Sequence, residues 1–274
     1  GERSSDLHLE RYGARVRVRL RVDGDLHDVS HCRLNADQFA GIVNALKVRA
    51  NLDIAESRAP QGGRCSLRIG GRVFDLRVQT QPSLHGEHVV VRFLPQDREH
   101  YSVESLGFSS ELTARFVRTI RSPSGLVLVA GPTGSGKSTT LYAGLQQLAR
   151  RSTRKVITVE DPIEYAIEDV QQTQVNPAVG FDFAQAMRFF VRQDPDVILV
   201  GEIRDPETAL EALRASQTGH LVLSTIHAND AIDAVQRLFD LGQHANSIAA
   251  ELLAVFSQRL AKRICVACRE QVEP

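Results

Sequence analysis

The stretch GPTGSGKST, residues 131–139, joins an apolar run, LVLVA at 126–130, to a segment with Leu141, Leu145 and Leu148 at helical spacing. Gly131, Pro132, Thr133, Gly134, Ser135, Gly136, Lys137 and Ser138 satisfy G-x-x-x-x-G-K-[ST], with a strand before the pattern and a helix after it. Glycines let such a loop wrap its N–H groups around phosphate oxygens, and the helix N-terminus adds partial positive charge. Lys137 is then expected to reach the outer phosphates, Ser138 to ligate magnesium, and Thr139 to close the loop. The chemistry predicted is that of a nucleoside triphosphate held with Mg2+, ATP being the expected ligand.

Three further apolar runs end on ionisable side chains. KVITV leads into Glu160-Asp161, DVILV into Gly201-Glu202, and LVLST into Ile226-His227. In an open parallel sheet, ligands lie beyond the carboxyl ends of the strands, so these groups are expected to meet at the phosphate loop. Asp196 precedes its strand and Glu202 follows it, roughly 20 Å away at about 3.3 Å per residue, so only one of them can serve a phosphate. Glu202 is at the correct end and is read as the general base for an attacking water, with a salt bridge to Arg204 as its competing role. Glu160, with Asp161 and Glu164, is expected to tune magnesium and water from a second layer. His227 is expected to sense the terminal phosphate, whereas His220 starts at the opposite end of its strand and reads equally as structural.

The elements that must carry these groups fall into two modules. Residues 1–97 read as an α+β domain. ARVRVRLRVDG alternates Val16, Val18, Leu20 and Val22 with Arg15, Arg17, Arg19 and Arg21; a helix is expected over 36–50, a hairpin turning at Gly70-Gly71, and a strand at 88–94. The stretch 98–107 reads as a linker. From 108 to 274, strands at 126–130, 156–159, 197–200 and 221–225 alternate with helices, the pattern of a parallel sheet covered on both faces. Asp205-Pro206 starts one of these helices, and Asp230 caps another that stops at Gly242.

Composition narrows the partners. The 274 residues carry zero formal net charge and 5% aromatics, so no global basic field or set of stacking platforms advertises nucleic acid. The polar start and short apolar runs predict a chain without a transmembrane segment, of cytoplasmic location. An opening Gly in place of Met predicts further domains in the native protein. Four cysteines, of which Cys265 and Cys268 form a C-x-x-C pair, agree with a reducing compartment.

Taken together the motifs resemble those of the secretion and pilus-assembly ATPases, the motors of type II secretion and type IV pili. GPTGSGKSTT resembles their Walker A loop, ITVEDPIEY their Asp box, RQDPDVILVGEIRD their Walker B segment and TGHLVLSTIHAND their His box; the usual LHTN of that box is Ile226-His227-Ala228-Asn229 here. The resemblance implies a PAS-like first domain, a RecA-like P-loop second domain and a hexamer that turns ATP hydrolysis into domain rotation. It implies Glu202 as catalytic base, Glu160 as the Asp-box acid, His220 and His227 as the His-box pair, and Arg77 and Arg92 as first-domain arginines directed at nucleotide. Cys265 and Cys268 are similar to the first half of a four-cysteine zinc module, complete only in a longer chain. Expected partners are other copies of the chain and the platform and docking proteins of a secretion or pilus machine, at the cytoplasmic side of the inner membrane. A retraction motor of the same family, a RecA-like translocase using the Arg15–Arg21 stripe as a phosphate track, and a slow nucleotide switch are the alternatives.

Overall fold

The arginine-rich alternation of residues 15–22 folds as expected, into a strand with one apolar and one basic face. In the computed structural model, which describes residues 4–94, 102–150, 153–261 and 264, the chain divides into two units, Gly1–Glu99 and His100–Pro274. The first contains β1 (Ser4–Tyr12), β2 (Arg15–Val22), β3 (Asp25–Asp28), α1 (Ala36–Arg49), β4 (Gln61–Ile69), β5 (Arg72–Ser83) and β6 (Gly86–Leu94). Its strands form one antiparallel sheet in the order β3-β2-β1-β6-β5-β4.

Register explains the core. Leu9 lies opposite Val18 on one side and Val89 on the other, and Val78 opposite Val91, so one sheet face is continuously apolar. Phe39 and Val43 of α1 complete this core. The helix begins with a capping box in which the Asn35 side chain and the Gln38 backbone, and the reverse, satisfy each other. On the opposite face Arg17 pairs with Asp28 at 2.7 Å and Arg19 with Glu10 at 2.6 Å. Two of the four arginines of the stripe are therefore neutralised by carboxylates, which argues against a continuous phosphate track.

The second unit contains α2 (Ser110–Ile120), β7 (Gly125–Ala130), α3 (Lys137–Ala149), β8 (Val156–Glu160), β9 (Val170–Gln174), α4 (Phe183–Phe190), β10 (Val197–Val200), α5 (Pro206–Gln217), β11 (Leu221–Ile226), α6 (Ala231–Asp240), α7 (Ala245–Glu251) and β12 (Leu252–Ser257). A parallel sheet runs β12-β7-β11-β10-β8-β9. Its central strands are buried on both faces. Leu126, Leu128, Ile198 and Val200 enter one core cluster, and Val127, Val129, Leu199 and Leu223 another with Phe116 and Leu141. The edge strands β9 and β12 are additions to the sequence reading: VQQTQ lacks the apolar content of a central strand, and LLAVFS follows a seven-residue helix without an intervening turn signal.

Of the 98–107 stretch read as a linker, residues 98–101 lie outside the described residues. Residues Val103–Leu106 form a 3-10 turn ended by Gly107 at φ +77°, and Val103 is buried in the same cluster as Phe116. The polar composition of the stretch hid two apolar side chains, Val103 and Leu106, that anchor the turn to the second unit.

Candidate functional site

Parallel pairing aligns the strand ends. Val200 stands opposite Val159 and Ser224, and Ser224 opposite Leu128, so residues that follow β7, β8, β10 and β11 leave the sheet at one edge. Gly131–Lys137, Glu160, Glu202 and His227 are all there. Asp196 is at the other end, its carboxylate accepting the Lys155 N–H at 2.7 Å, and His220 is placed with it, its Nδ1 2.9 Å from the Ala215 carbonyl oxygen.

The phosphate-type loop is built around glycines in the left-handed region: Gly131 has φ +153° and Gly136 φ +83°. A Cβ at Gly131 would lie 2.4 Å from the Gln258 carbonyl oxygen, and one at Gly136 2.7 Å from Gln258 Nε2. Gly136 is the N-cap of α3 and supplies no side-chain acceptor, so the first N–H groups of the helix have no capping side chain. The Lys137 Nζ donates to the Gly131 and Pro132 carbonyls, 2.9 Å each. Burial pushes the pKa of this ammonium down, and the charge of Glu202 opposes that. Pro132, Thr133, Gly134 and Ser138 are exposed and Thr139 half-buried. The Ser135 hydroxyl is buried without a hydrogen-bond partner among the described residues.

These features fit a bound polyphosphate with magnesium. Uncapped N–H groups and an ammonium face the same loop, and the exposed Ser138 hydroxyl offers a hard oxygen. Among the described residues no group of three or more His, Cys, Asp or Glu side chains forms a metal cage. Magnesium in phosphate sites takes few protein ligands, the rest coming from phosphates and water, so Ser138 is a sufficient protein anchor. Cys265 and Cys268, the pair for which zinc was expected in a longer chain, lie outside the described residues. Cys32 and Cys65 are free thiols of the first unit.

Glu202 is held between two pinned neighbours. The Gly201 N–H donates to the Val159 carbonyl at 2.8 Å, Thr225 Oγ1 donates to the Gly201 carbonyl at 2.8 Å, and the Ile203 N–H to the Thr225 carbonyl at 2.9 Å. A Cβ at Gly201 would sit 3.3 Å from the Val159 carbonyl oxygen, so glycine lets this turn pass close to β8. The Glu202 carboxylate receives a two-pronged contact from Arg204, with Nη2 and Nε each 2.6 Å from one oxygen, and His227 Nε2 is 3.3 Å from Oε1. The salt bridge anticipated as a competing role thus exists, and the same carboxylate also faces His227 and influences Lys137.

Glu160, expected to tune magnesium and water from a second layer, is 4% exposed and both its oxygens are engaged by protein groups. Oε2 accepts the Tyr142 hydroxyl, and Oε1 accepts Thr158 Oγ1 and Gln172 Nε2. The reason is its position as the last residue of β8, between β10 and β9, where Gln172 and α3 close over it. Tyr142 and Gln172 also tie down the 161–169 loop, through the Glu164 N–H and through the Tyr165 carbonyl and Ile167 N–H. Burial, then the neighbouring Glu160 charge, pushes the Tyr142 phenol pKa far up, so it stays a donor. Tyr142→Phe should lower the stability of the second unit by about 1–3 kcal/mol, because Glu160 keeps its burial and loses a donor; denaturant unfolding measures it.

Arg77 and Arg92 lie in the first unit, directly opposite each other on β5 and β6, with Arg64 opposite Arg77 on β4. Arg92 Nε donates to Asp6 Oδ1 at 2.9 Å while its side chain stays 62% exposed. Burial raises the Asp6 pKa, but hydrogen bonds from Arg92 and Ser5 and the Arg92 charge outweigh it, and the net shift is downward.

One pair of residues was missed. Gln258 and Arg259, just after β12, reach two loops of the site: Gln258 contacts the 131–136 loop and α3, and Arg259 Nη2 donates to the Asn229 carbonyl at 2.8 Å. No local spacing marks them. Only the parallel pairing of β12 with β7 brings them there.

The sequence model of the family described as "Type II/IV secretion system protein" matches residues 1–274. The chain is 51% identical over 272 residues to the type II secretion system ATPase E of Vibrio cholerae serotype O1, covering 99% of this chain and 54% of that protein. To the type II secretion system protein E of Klebsiella pneumoniae it is 50% identical over 270 residues, covering 98% and 54%. The chain thus spans about half the length of the curated relatives it matches. The crystal structure of the pilus retraction motor PilT with bound ADP superposes with a TM-score of 0.71 at 28% identity, covering 93% of this chain and 74% of that one. The two units are a small PAS-like α+β domain and a RecA-like P-loop α/β domain. Matched along its whole length and carrying that fold, the chain belongs to the type II/IV secretion system protein family.

Proposed function

We propose that this chain is the ATP-hydrolysing part of a secretion-system motor, working as a hexamer to drive pilin or pseudopilin assembly. The observation that carries the reading is that Lys137, opening α3 after β7, and Glu202, following β10, share one sheet edge, where the Glu202 charge acts on Lys137 and His227 Nε2 is 3.3 Å from the Glu202 carboxylate. The loop N–H groups and Lys137 bind and orient the phosphates, and Ser138 holds the magnesium ion. Magnesium, when bound, neutralises charge on the β and γ phosphates. Glu202 takes a proton from a water molecule whose oxygen attacks the γ-phosphorus; the bond to the β–γ bridging oxygen breaks and ADP departs. His227 flanks that carboxylate and would register the terminal phosphate. Glu160 acts at a distance, by holding the 161–169 loop to α3.

Arg77 and Arg92 would serve as mobile-domain fingers on the nucleotide of a neighbouring subunit, coupling hydrolysis to movement. Partners would be platform and docking proteins at the cytoplasmic side of the inner membrane. Among the described residues no helix is long and apolar enough to cross a membrane. The similarity to a secretion ATPase at 51% identity, against 28% to a retraction motor, favours the secretion role. Cys265 and Cys268 would take zinc when two further ligands are supplied.

Steady-state ATP turnover, followed against protein concentration and with or without single-stranded DNA, tests this reading. Turnover should rise as the chain assembles and ignore DNA. Stimulation by DNA would favour a translocase, and negligible turnover of assembled rings a switch.

A further inference from the structure

We propose that Gln258 is a positioning residue for nucleotide binding, an amide brace that sets the orientation of the Ser135–Gly136 peptide in the phosphate loop. The inference rests on the reading of residues 131–139 as a nucleotide site.

Three bonds define the brace. The Gln258 backbone N–H donates to the carbonyl of Ala130, the last residue of β7, at 2.8 Å, which extends the β12–β7 ladder one residue beyond β12 and sets Gln258 beside the start of the loop. Its side-chain Oε1 accepts the Thr140 hydroxyl at 2.6 Å, and its Nε2 donates to the Ser135 carbonyl at 2.7 Å. A primary amide has distinct donor and acceptor ends; the Ser135 carbonyl can only accept, so it takes the Nε2 end, and the Thr140 hydroxyl donates to the Oε1 end and anchors it. In a planar trans peptide the carbonyl and the following N–H point in opposite directions, so drawing the Ser135 oxygen toward Gln258 aims the Gly136 N–H away from it. Gly136 is the N-cap of α3, and its N–H is one of those available to an anion at that terminus.

The glycines agree with this role. Gly131 and Gly136 are the loop positions where a Cβ would run into Gln258, on its carbonyl oxygen and its Nε2 respectively. The Gln258 backbone is therefore packed against the Gly131 end of the loop and its side chain against the Gly136 end, and the loop's glycines make room for it as well as for a ligand. Thr140 is fully buried and Ser135 nearly so, so water does not replace the amide at low cost.

Gln258→Leu keeps the bulk and removes both side-chain bonds, and Thr140→Val removes the hydroxyl that anchors the Oε1 end of the amide. In the 274-residue chain, binding of a fluorescent ADP analogue with magnesium and the ligand-free unfolding midpoint are measured for each. Expected is an affinity about tenfold or more weaker for Gln258→Leu, the size of one lost charge-assisted hydrogen bond, with a smaller loss for Thr140→Val; the ligand-free midpoint should fall in both, because each leaves a buried polar group without its partner. Unaltered affinity in a folded Gln258→Leu overturns the brace while leaving the nucleotide site standing. If that variant does not fold, unaltered affinity in Thr140→Val overturns it equally. Failure of the unaltered chain to bind the analogue would remove the nucleotide reading and the brace together.

Discussion

Glu202→Gln should keep ATP and lose its hydrolysis, with turnover falling roughly a hundred- to ten-thousandfold, the usual contribution of a positioned general base. The amide preserves the size of the side chain but cannot accept a proton from water at neutral pH. Binding should change little, because the phosphate contacts come from the loop N–H groups, Lys137 and Ser138. Stability should change little as well: the Arg204 partner is 57% exposed, and ion pairs of that kind contribute under about 1 kcal/mol. The variant therefore separates the two contacts of Glu202. If the carboxylate served only to pair with Arg204, Glu202→Gln would hydrolyse ATP at the unaltered rate. Titration with a fluorescent nucleotide and a phosphate-release assay on the same preparation decide it.

Lys137→Ala should abolish measurable hydrolysis and weaken nucleotide binding tenfold or more, since a buried charge-assisted bond to phosphate exceeds about 1.4 kcal/mol. Lys137→Met makes the sharper comparison. It keeps an unbranched chain of similar reach and removes the charge, so loss of binding in it isolates the electrostatic contribution. Lys137→Arg should not rescue, because a planar guanidinium cannot fit between the Gly131 and Pro132 carbonyls as a compact ammonium does. The readout is the nucleotide-induced rise in unfolding temperature, which tracks ligand concentration over Kd. A full thermal shift in Lys137→Met would show that the nucleotide does not use this ammonium.

Lys137 and Glu202 can both be singled out along the chain, for different reasons. Lys137 sits in a pattern whose strand, turn and helix are contiguous, so eight residues carry both the chemistry and the geometry that positions it. Glu202 is separated from that loop by more than sixty residues. It could be placed only because parallel strands deliver their carboxyl ends to one edge, which the alternation of apolar runs and helices already implied. Arg17 and Arg19 show the opposite case: the alternation located their face, but the pairing with Asp28 and Glu10 depends on which strands neighbour β2.

Glu160 and Gln258 mark where reading along the chain stops. Its place at a strand end located Glu160 at the site's edge but did not name its partners: Tyr142 from α3 and Gln172 from β9 enclose it, and β9 carries no apolar pattern by which to foresee it. Gln258 follows an edge strand more than a hundred residues from the loop it braces. By itself the sequence determined the phosphate loop, the central strands and the edge at which their ionisable residues gather, because local periodicity and parallel topology suffice for those. Tertiary structure alone decided which carboxylate stays beside His227 and which is enclosed, and which amide holds the loop, because hydrogen-bond partners at the sheet margins are set by strand order and not by distance along the chain.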